Sequence, residues 1–217
     1  MYKSILVSIV FSLFLSSISF AQNVHSIQFN GGIVFPRSSS KGLSAIIQYN
    51  YSLNQKVSFY IYTGYSSWDK FNVVYIEELS IVQKQQYFHS YSSDSHILIP
   101  LYFGTKINFH TNKVFTSFLD FEIGYSHFSF NSYDNIREVN PTTGEVLSYY
   151  VDGSSKKEVN KNLFGLGVGI GFSHPLTKSL NITLSYKINS NFNAGEYGLF
   201  SAEGTYSTLF LGFNFSI

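Results

Sequence analysis

The last thirteen residues, Thr205 to Ile217, alternate between two faces, and this pattern constrains the fold more than any other feature of the chain. From Leu209 to Ile217 every second residue is apolar, whereas the positions between them are mostly polar or small. At the edge of a soluble sheet, such a strand would expose both its apolar face and an unpaired backbone. In lipid, a closed barrel covers the apolar face and pairs every backbone group. The pattern therefore predicts a transmembrane β-barrel.

The same alternation occurs in seven further segments, which predicts an all-β, eight-stranded antiparallel up-and-down barrel. Only 12% of the residues are charged and 18% are aromatic, and the mean hydropathy is +0.04, a balance that fits strands with one apolar and one polar face. A soluble ligand-carrying barrel would need a polar face rich in Lys and Glu, but here that face is mainly Asn, Thr, Ser, Gly and Gln. The predicted strands cover about residues 26–35, 42–52, 57–67, 97–109, 114–130, 162–173, 180–191 and 205–217.

The connections between these strands alternate between short and long. Residues 53–56, 110–113 and 174–178 are tight polar turns, whereas residues 68–96 and 131–161 are each about thirty residues long. Short periplasmic turns and long extracellular loops are typical of outer-membrane barrels. Outward aromatic residues also group by depth, which predicts two girdles at the lipid–water boundaries.

The N-terminal segment has the features of a signal peptide. Lys3 provides a positive start, an apolar stretch follows, and Ser19-Phe20-Ala21 provides small residues for cleavage after Ala21. We therefore expect residues 1–21 to be removed and residues 22–217 to form the barrel domain. The chain has no Cys, so it has neither disulfides nor a lipid-modified Cys anchor. Its net charge of +1 gives no reason to expect binding to nucleic acid.

On this pattern the chain resembles the small eight-stranded barrels of the outer-membrane protein β-barrel domain family. Gly212, Phe215 and Ile217 match the spacing of the C-terminal signal that such barrels present to their insertion machinery. Phe210 departs from the usual polar residue, and Ile217 departs from the usual aromatic one. The resemblance implies a Gram-negative outer membrane as location. It also implies the lipid bilayer, lipopolysaccharide and the barrel assembly machinery as partners.

Strand parity places four charged side chains inside the barrel: Lys106, Asp120, Glu122 and Lys187. Because unpaired buried charges are costly, we expect them to form a compensated network. Gly165, Gly167, Gly169 and Gly171 also point inward, either clearing a path for Lys187 to reach Asp120 or Glu122, or merely relieving crowding in a narrow barrel. Eight strands leave an interior that side chains can fill, which predicts a plugged polar lumen without a general pore.

Two patterns could carry chemistry. His127 and Ser129 resemble the His-x-Ser element of outer-membrane lipid A deacylases, with Glu138, Glu145 or Glu158 as the orienting carboxylate. His89, Asp94 and His96 have side chains that bind Zn²⁺ or Cu²⁺, but their spacing fits no compact site. Neither pattern is specific enough to assign a site. We therefore predict no catalytic, cofactor-binding or metal-binding residue, and we expect no cofactor.

The two long loops are the predicted surface for recognition. They are rich in Tyr and Ser, a mixture that suits adaptable binding, so we expect a possible extracellular partner at residues 68–96 and 131–161. Apolar residues at 76, 79, 81 and 82 indicate a hairpin in the first loop. The predicted function is a non-enzymatic structural, adhesion or assembly component. The alternatives are a deacylase-like lipid A-modifying enzyme that uses His127 and Ser129, and a small porin or ligand-carrying barrel.

Overall fold

The computed structural model describes residues 25–37, 39–68, 74–80, 85–112, 114–144, 146–194 and 204–217. The predicted signal peptide, residues 1–21, lies outside these residues, as do Ile81 and Val82 of the predicted loop hairpin and Glu145. No helix among the described residues is long and apolar enough to cross a membrane. The strands are β1 (His25–Pro36), β2 (Gly42–Ser52), β3 (Val57–Trp68), β4 (Val74–Ser80), β5 (Gln85–Ser93), β6 (His96–Thr111), β7 (Thr116–Val139), β8 (Val146–Val151), β9 (Lys157–Pro175), β10 (Leu180–Asn191) and β11 (Thr205–Ser216).

Eight of these strands form a closed antiparallel barrel. Its order is β1, β2, β3, β6, β7, β9, β10 and β11, and the pairing of β11 with β1 closes the ring. Closure leaves no open edge within the ring, so the backbone groups of these strands are paired inside the barrel. The predicted fold class is confirmed, and the bounds of β2 and β10 are those that the sequence predicts.

The outer surface of the barrel is an apolar belt. The large side chains that parity places outward are exposed in the structure, from Phe29 at 51% on β1 to Leu211 at 50% on β11. The belt continues around the ring through Ile61, Phe103, Ile123, Val168 and Leu184. Outward aromatics flank it at the turn end, including Tyr51, Phe109, Phe172 and Phe215. A band of this kind is stable only where lipid covers it.

The two long connections at the far end of the barrel contain strands of their own, most of which the sequence did not predict. Within residues 68–96, β4 pairs with β5, so the predicted hairpin is confirmed at the backbone level. Within residues 131–161, β7 continues to Val139 and pairs with β8, and β9 already begins at Lys157. Alternation beyond residue 130 is obscured by charged and turn residues, so the sequence did not reveal these extensions.

Candidate functional sites in the lumen and on the arm

The centre of the lumen contains a compact network around Glu122 of β7. Lys187 of β10 places its Nζ 2.7 Å from Glu122 Oε2 and 3.7 Å from Asp120 Oδ2. All three side chains are almost completely buried. Three of the four charges that the sequence predicts for the lumen therefore meet, and both carboxylates share the ammonium group of Lys187. The fourth, Lys106, forms no ion pair with them and lies over the ring of Phe118.

Neutral donors complete the coordination of Glu122. Tyr60 donates a hydrogen bond to Oε2 at 2.7 Å, and Tyr62 donates one to Oε1 at 2.7 Å. Asn189 donates to Oε1 at 2.6 Å, and Lys187 Nζ also lies 3.3 Å from the Tyr60 hydroxyl. A buried carboxylate with this many donors retains its charge, because hydrogen bonds replace the lost water. The two tyrosines were missed by sequence reasoning, although their even numbers place them on the inward face.

The inward glycines of β9 provide the space for this network. A Cβ atom on Gly167 would lie 2.5 Å from both Glu122 Cγ and Asn189 Nδ2, and one on Gly169 would lie 2.9 Å from Lys187 Cγ. At Gly171 it would collide with the ring of Phe118, and at Gly165 with the Asn191 amide oxygen and the Tyr102 hydroxyl. Gly167 and Gly169 therefore clear the path of Lys187 and Glu122, and Gly165 and Gly171 relieve crowding against other lumen side chains. Both interpretations of the glycine run hold at different positions.

Aromatic side chains pack in the lumen between the network and the barrel end opposite the short turns. Trp68 stacks on His96 and on Phe128, with ring centroids 5.9 and 5.7 Å apart, and it also stacks on Tyr206 at 6.4 Å. Val34, Leu98 and Leu163 pack into the same cluster. A second cluster lies beside the network and consists of Ile46, Tyr60, Tyr62, Tyr102 and Phe210. Aromatic rings therefore fill part of the lumen, beside the polar groups that the sequence predicts there.

The residues proposed for catalysis do not form a triad. The Nδ1 atom of His127 lies 3.2 Å from Asn162 Oδ1, an amide oxygen that also accepts from Tyr125. In the described part of the chain, no hydrogen bond joins His127 to Ser129 or to a carboxylate. Glu138 accepts from Ser148, and Glu158 accepts from Asn160.

The residues proposed for a metal site are also used otherwise. Asp94 accepts hydrogen bonds from Asn131 and Tyr133 at 3.1 and 2.8 Å, and the hydrogen bond to Asp94 raises the pKa of Tyr133. His96 belongs to the aromatic stack, and the side chain of His89 is not among those described. Over the described ranges, no group of three or more His, Cys, Asp or Glu side chains could hold a metal ion.

β7 and β8 extend from the end of the barrel opposite the short turns, and we use "the arm" for residues 133–151. After its last pair with β9 at Ser132, β7 pairs with β5 at Tyr133 and Asp134 and with β8 from Asn135 to Val139. Val139 follows Ser132 by seven positions, so β7 extends about 23 Å past its last pair with β9 at ~3.3 Å per residue. An ion pair joins its base to β9, with Lys157 Nζ 2.8 Å from Asp134 Oδ2. Four large apolar side chains of the arm are exposed: Ile136, Leu147, Tyr150 and Val151.

The base of the arm is closed by a short 3₁₀ turn, Gly153–Ser155. Asp152 caps this turn, accepting hydrogen bonds from the Ser154 hydroxyl at 2.6 Å and the Ser154 backbone N–H at 2.9 Å. These bonds lower the pKa of Asp152. The backbone N–H of Asp134 donates to the Ser155 hydroxyl at 2.7 Å, which joins the turn to β7. The arm is therefore anchored to the barrel wall on both strands.

The sequence matches no protein-family model and no curated protein. Solved structures share its fold. Neisserial surface protein A superposes with a TM-score of 0.55 at 15% identity, over 89% of this chain and 97% of that one. A major outer membrane protein from Thermus thermophilus gives a TM-score of 0.54 at 13% identity, over 89% and 99% of the two chains. The closed eight-stranded barrel with its apolar belt is thus the fold that this chain shares with small β-barrel proteins of bacterial outer membranes.

Proposed function

We propose that this protein is a non-enzymatic surface barrel that anchors the arm in the outer membrane and presents it to a protein partner outside the cell. The arm supports this proposal most directly. Its exposed apolar side chains project beyond the belt, where water rather than lipid surrounds them. Ile136 and Tyr150 are cross-strand partners on one face of the arm, and Leu147 and Val151 lie on the other face. Exposed apolar side chains outside a core can mark an interaction site, and Tyr150 adds an amphipathic ring of the kind enriched at interfaces.

The closed lumen argues against the transport alternative. The aromatic stack around Trp68 and the network around Glu122 lie one above the other along the lumen, so a solute would have to displace both. Separating buried aromatic rings and a buried carboxylate that accepts several hydrogen bonds, as Glu122 does, is energetically costly. The lipid A alternative lacks an orienting carboxylate at His127 in the described residues.

The test removes the arm and leaves the barrel intact. Replacing residues 133–156 with Asn-Gly joins Ser132 to Lys157, which are already paired neighbours, by a two-residue hairpin turn. The matched control keeps the arm and exchanges its apolar surface through Leu147→Ser and Tyr150→Ser. Bacteria that display each chain are assayed for adherence to one another and to immobilised extracellular proteins.

We expect the full chain to confer adherence and both variants to lose it, while all three chains retain the heat-dependent gel shift of a folded barrel. Adherence that survives removal of the arm, or cells that adhere no better than cells without the protein, would contradict the proposal.

A further inference from the structure

The lumen contains a polar cavity at the turn end, on the opposite side of the charge network from the aromatic stack. Its volume is about 250 Å³. Eleven of its fourteen lining residues are Ser, Thr or Asn, and Lys106 is the charged one. Neither the proposed function nor the charge network accounts for this cavity. A concave polar site of this size fits a ligand smaller than a drug-sized molecule.

Lys106 is the charged residue of this cavity, and among the described residues no carboxylate forms a close ion pair with it. It pairs with Asp120 in the strand register, yet among the described residues no carboxylate oxygen lies within 4 Å of its Nζ. Its Nζ instead stands 4.3 Å from the centroid of the Phe118 ring, while Asp120 lies 3.7 Å from Lys187. A partly buried ammonium group that lies over a ring, with hydroxyl and amide groups around it, would be stabilised by a bound anion.

Each of the three short turns at this end of the barrel has a lysine in its sequence. The turn between β2 and β3 contains Lys56, the turn between β9 and β10 contains Lys178, and the sequence places Lys113 in the third turn. Of the thirteen Asp and Glu residues, none falls in residues 25–68, 97–119, 159–195 or 204–217. By sequence position, the acidic residues other than Asp120 and Glu122 therefore fall near or within the long connections and not in the short turns. Positive charge around a cleft raises the local concentration of anions in it.

We propose that the turn-end cavity binds a small phosphate-bearing molecule from the periplasmic side, with Lys106 as its central cation. A tetrahedral phosphate presents acceptor oxygens in several directions, which suits a point charge and many neutral donors. A flat carboxylate is better matched by the fork of an arginine, which this cavity lacks. Asn181 and Thr183 of β10 line the wall of the cavity and provide such donors. Two sources share this chemistry, a soluble phosphate ester and the headgroup of a phospholipid.

The test is an NMR titration of the refolded chain in dodecyl maltoside micelles, which contain no phosphate. Inorganic phosphate is added at constant ionic strength against chloride. We expect saturable shifts at Lys106, Asn108 and Thr183, and at least a tenfold weaker affinity in Lys106→Met. Lys106→Arg should retain most of the affinity because it keeps the charge. Lys41→Met, at the opposite end of the barrel, is the matched control and should bind as the unchanged chain does.

A second sample distinguishes the two sources. Micelles doped with phosphatidylglycerol and free of soluble phosphate shift the same resonances if the ligand is a headgroup, and leave them unchanged if it is a soluble ester. Asn181→Leu, which keeps every charge, should weaken binding about threefold and replaces Lys106→Met if that variant fails to fold. Absence of a saturable shift at Lys106 with both probes, or binding that neither Lys106→Met nor Asn181→Leu weakens, would overturn the proposal.

Discussion

At the scale of single residues, Glu122 joins strands β3, β7 and β10 at the centre of the lumen through hydrogen bonds and an ion pair. Parity alone placed Lys106, Asp120, Glu122 and Lys187 inside, so the existence of a network could be predicted. Which of them meet depends on the register across β7, β9 and β10, which sequence does not specify. Parity also placed Tyr60 and Tyr62 inside. Tyrosine is equally common at the lipid–water boundary, so the sequence alone did not indicate that both residues donate hydrogen bonds to Glu122.

Loss of Lys187 should destabilise the barrel strongly. Lys187→Met leaves Asp120 and Glu122 buried without a cation, so we expect the free energy of unfolding to fall by about 3–5 kcal/mol. Urea titration of the protein refolded into lipid vesicles measures the change. Lys157→Met is the matched control, because its ion pair with Asp134 is about two-thirds exposed and should contribute less than ~1 kcal/mol. Equal stabilities for the two variants would refute the network.

The glycines offer a second contrast between a crowded and an open position. Gly167→Ala should cost about 1–3 kcal/mol, because its Cβ would collide with Glu122 and Asn189. Gly31→Ala faces outward with no atom within 4 Å of the new Cβ, so it should be neutral or gain up to ~1 kcal/mol. The same urea titration compares both variants. If Gly167→Ala leaves the free energy of unfolding unchanged, the lumen is not tightly packed at this position and the prediction is wrong.

At the scale of elements, the membrane-spanning strands could be predicted because lipid on one side and a packed lumen on the other impose a strict period of two. Six of the eight strands begin or end within a few residues of their predicted limits, whereas β7 runs nine residues beyond its predicted end and β9 begins five residues early. Outside the membrane no such constraint acts, and polar residues such as Asp134, Asn135 and Glu138 are compatible with a loop or a strand. Backbone pairing with β8 decides the outcome.

The boundary between barrel and arm can be located with charged substitutions. Val168 lies midway along the membrane part of β9 and points outward, so Val168→Arg should lower the free energy of unfolding by about 2–4 kcal/mol. Leu147 is as exposed but lies on the arm, and Leu147→Arg should change stability by less than ~0.5 kcal/mol. Unfolding in vesicles is again the measurement. A large penalty at Leu147 would place the arm in lipid and contradict our account of it.

At the scale of the whole molecule, the two ends of the barrel differ. The turn end carries lysines and an open polar cavity, whereas the arm end carries the acidic side chains and is sealed by stacked rings. The charge asymmetry is visible in the sequence, since it needs only the strand order. The seal is not, because Trp68, Phe128 and Tyr206 come from three strands that only the closed ring brings together.

Single-channel recording in a planar bilayer tests most directly whether the lumen lacks a continuous passage from one end to the other. The chain from Gln22 to Ile217 is refolded, and its folding is checked by the heat-dependent gel shift. We predict no discrete conductance steps, because the aromatic stack and the network around Glu122 both block the lumen. Reproducible openings of uniform size from the folded protein would contradict the account and make transport the leading function.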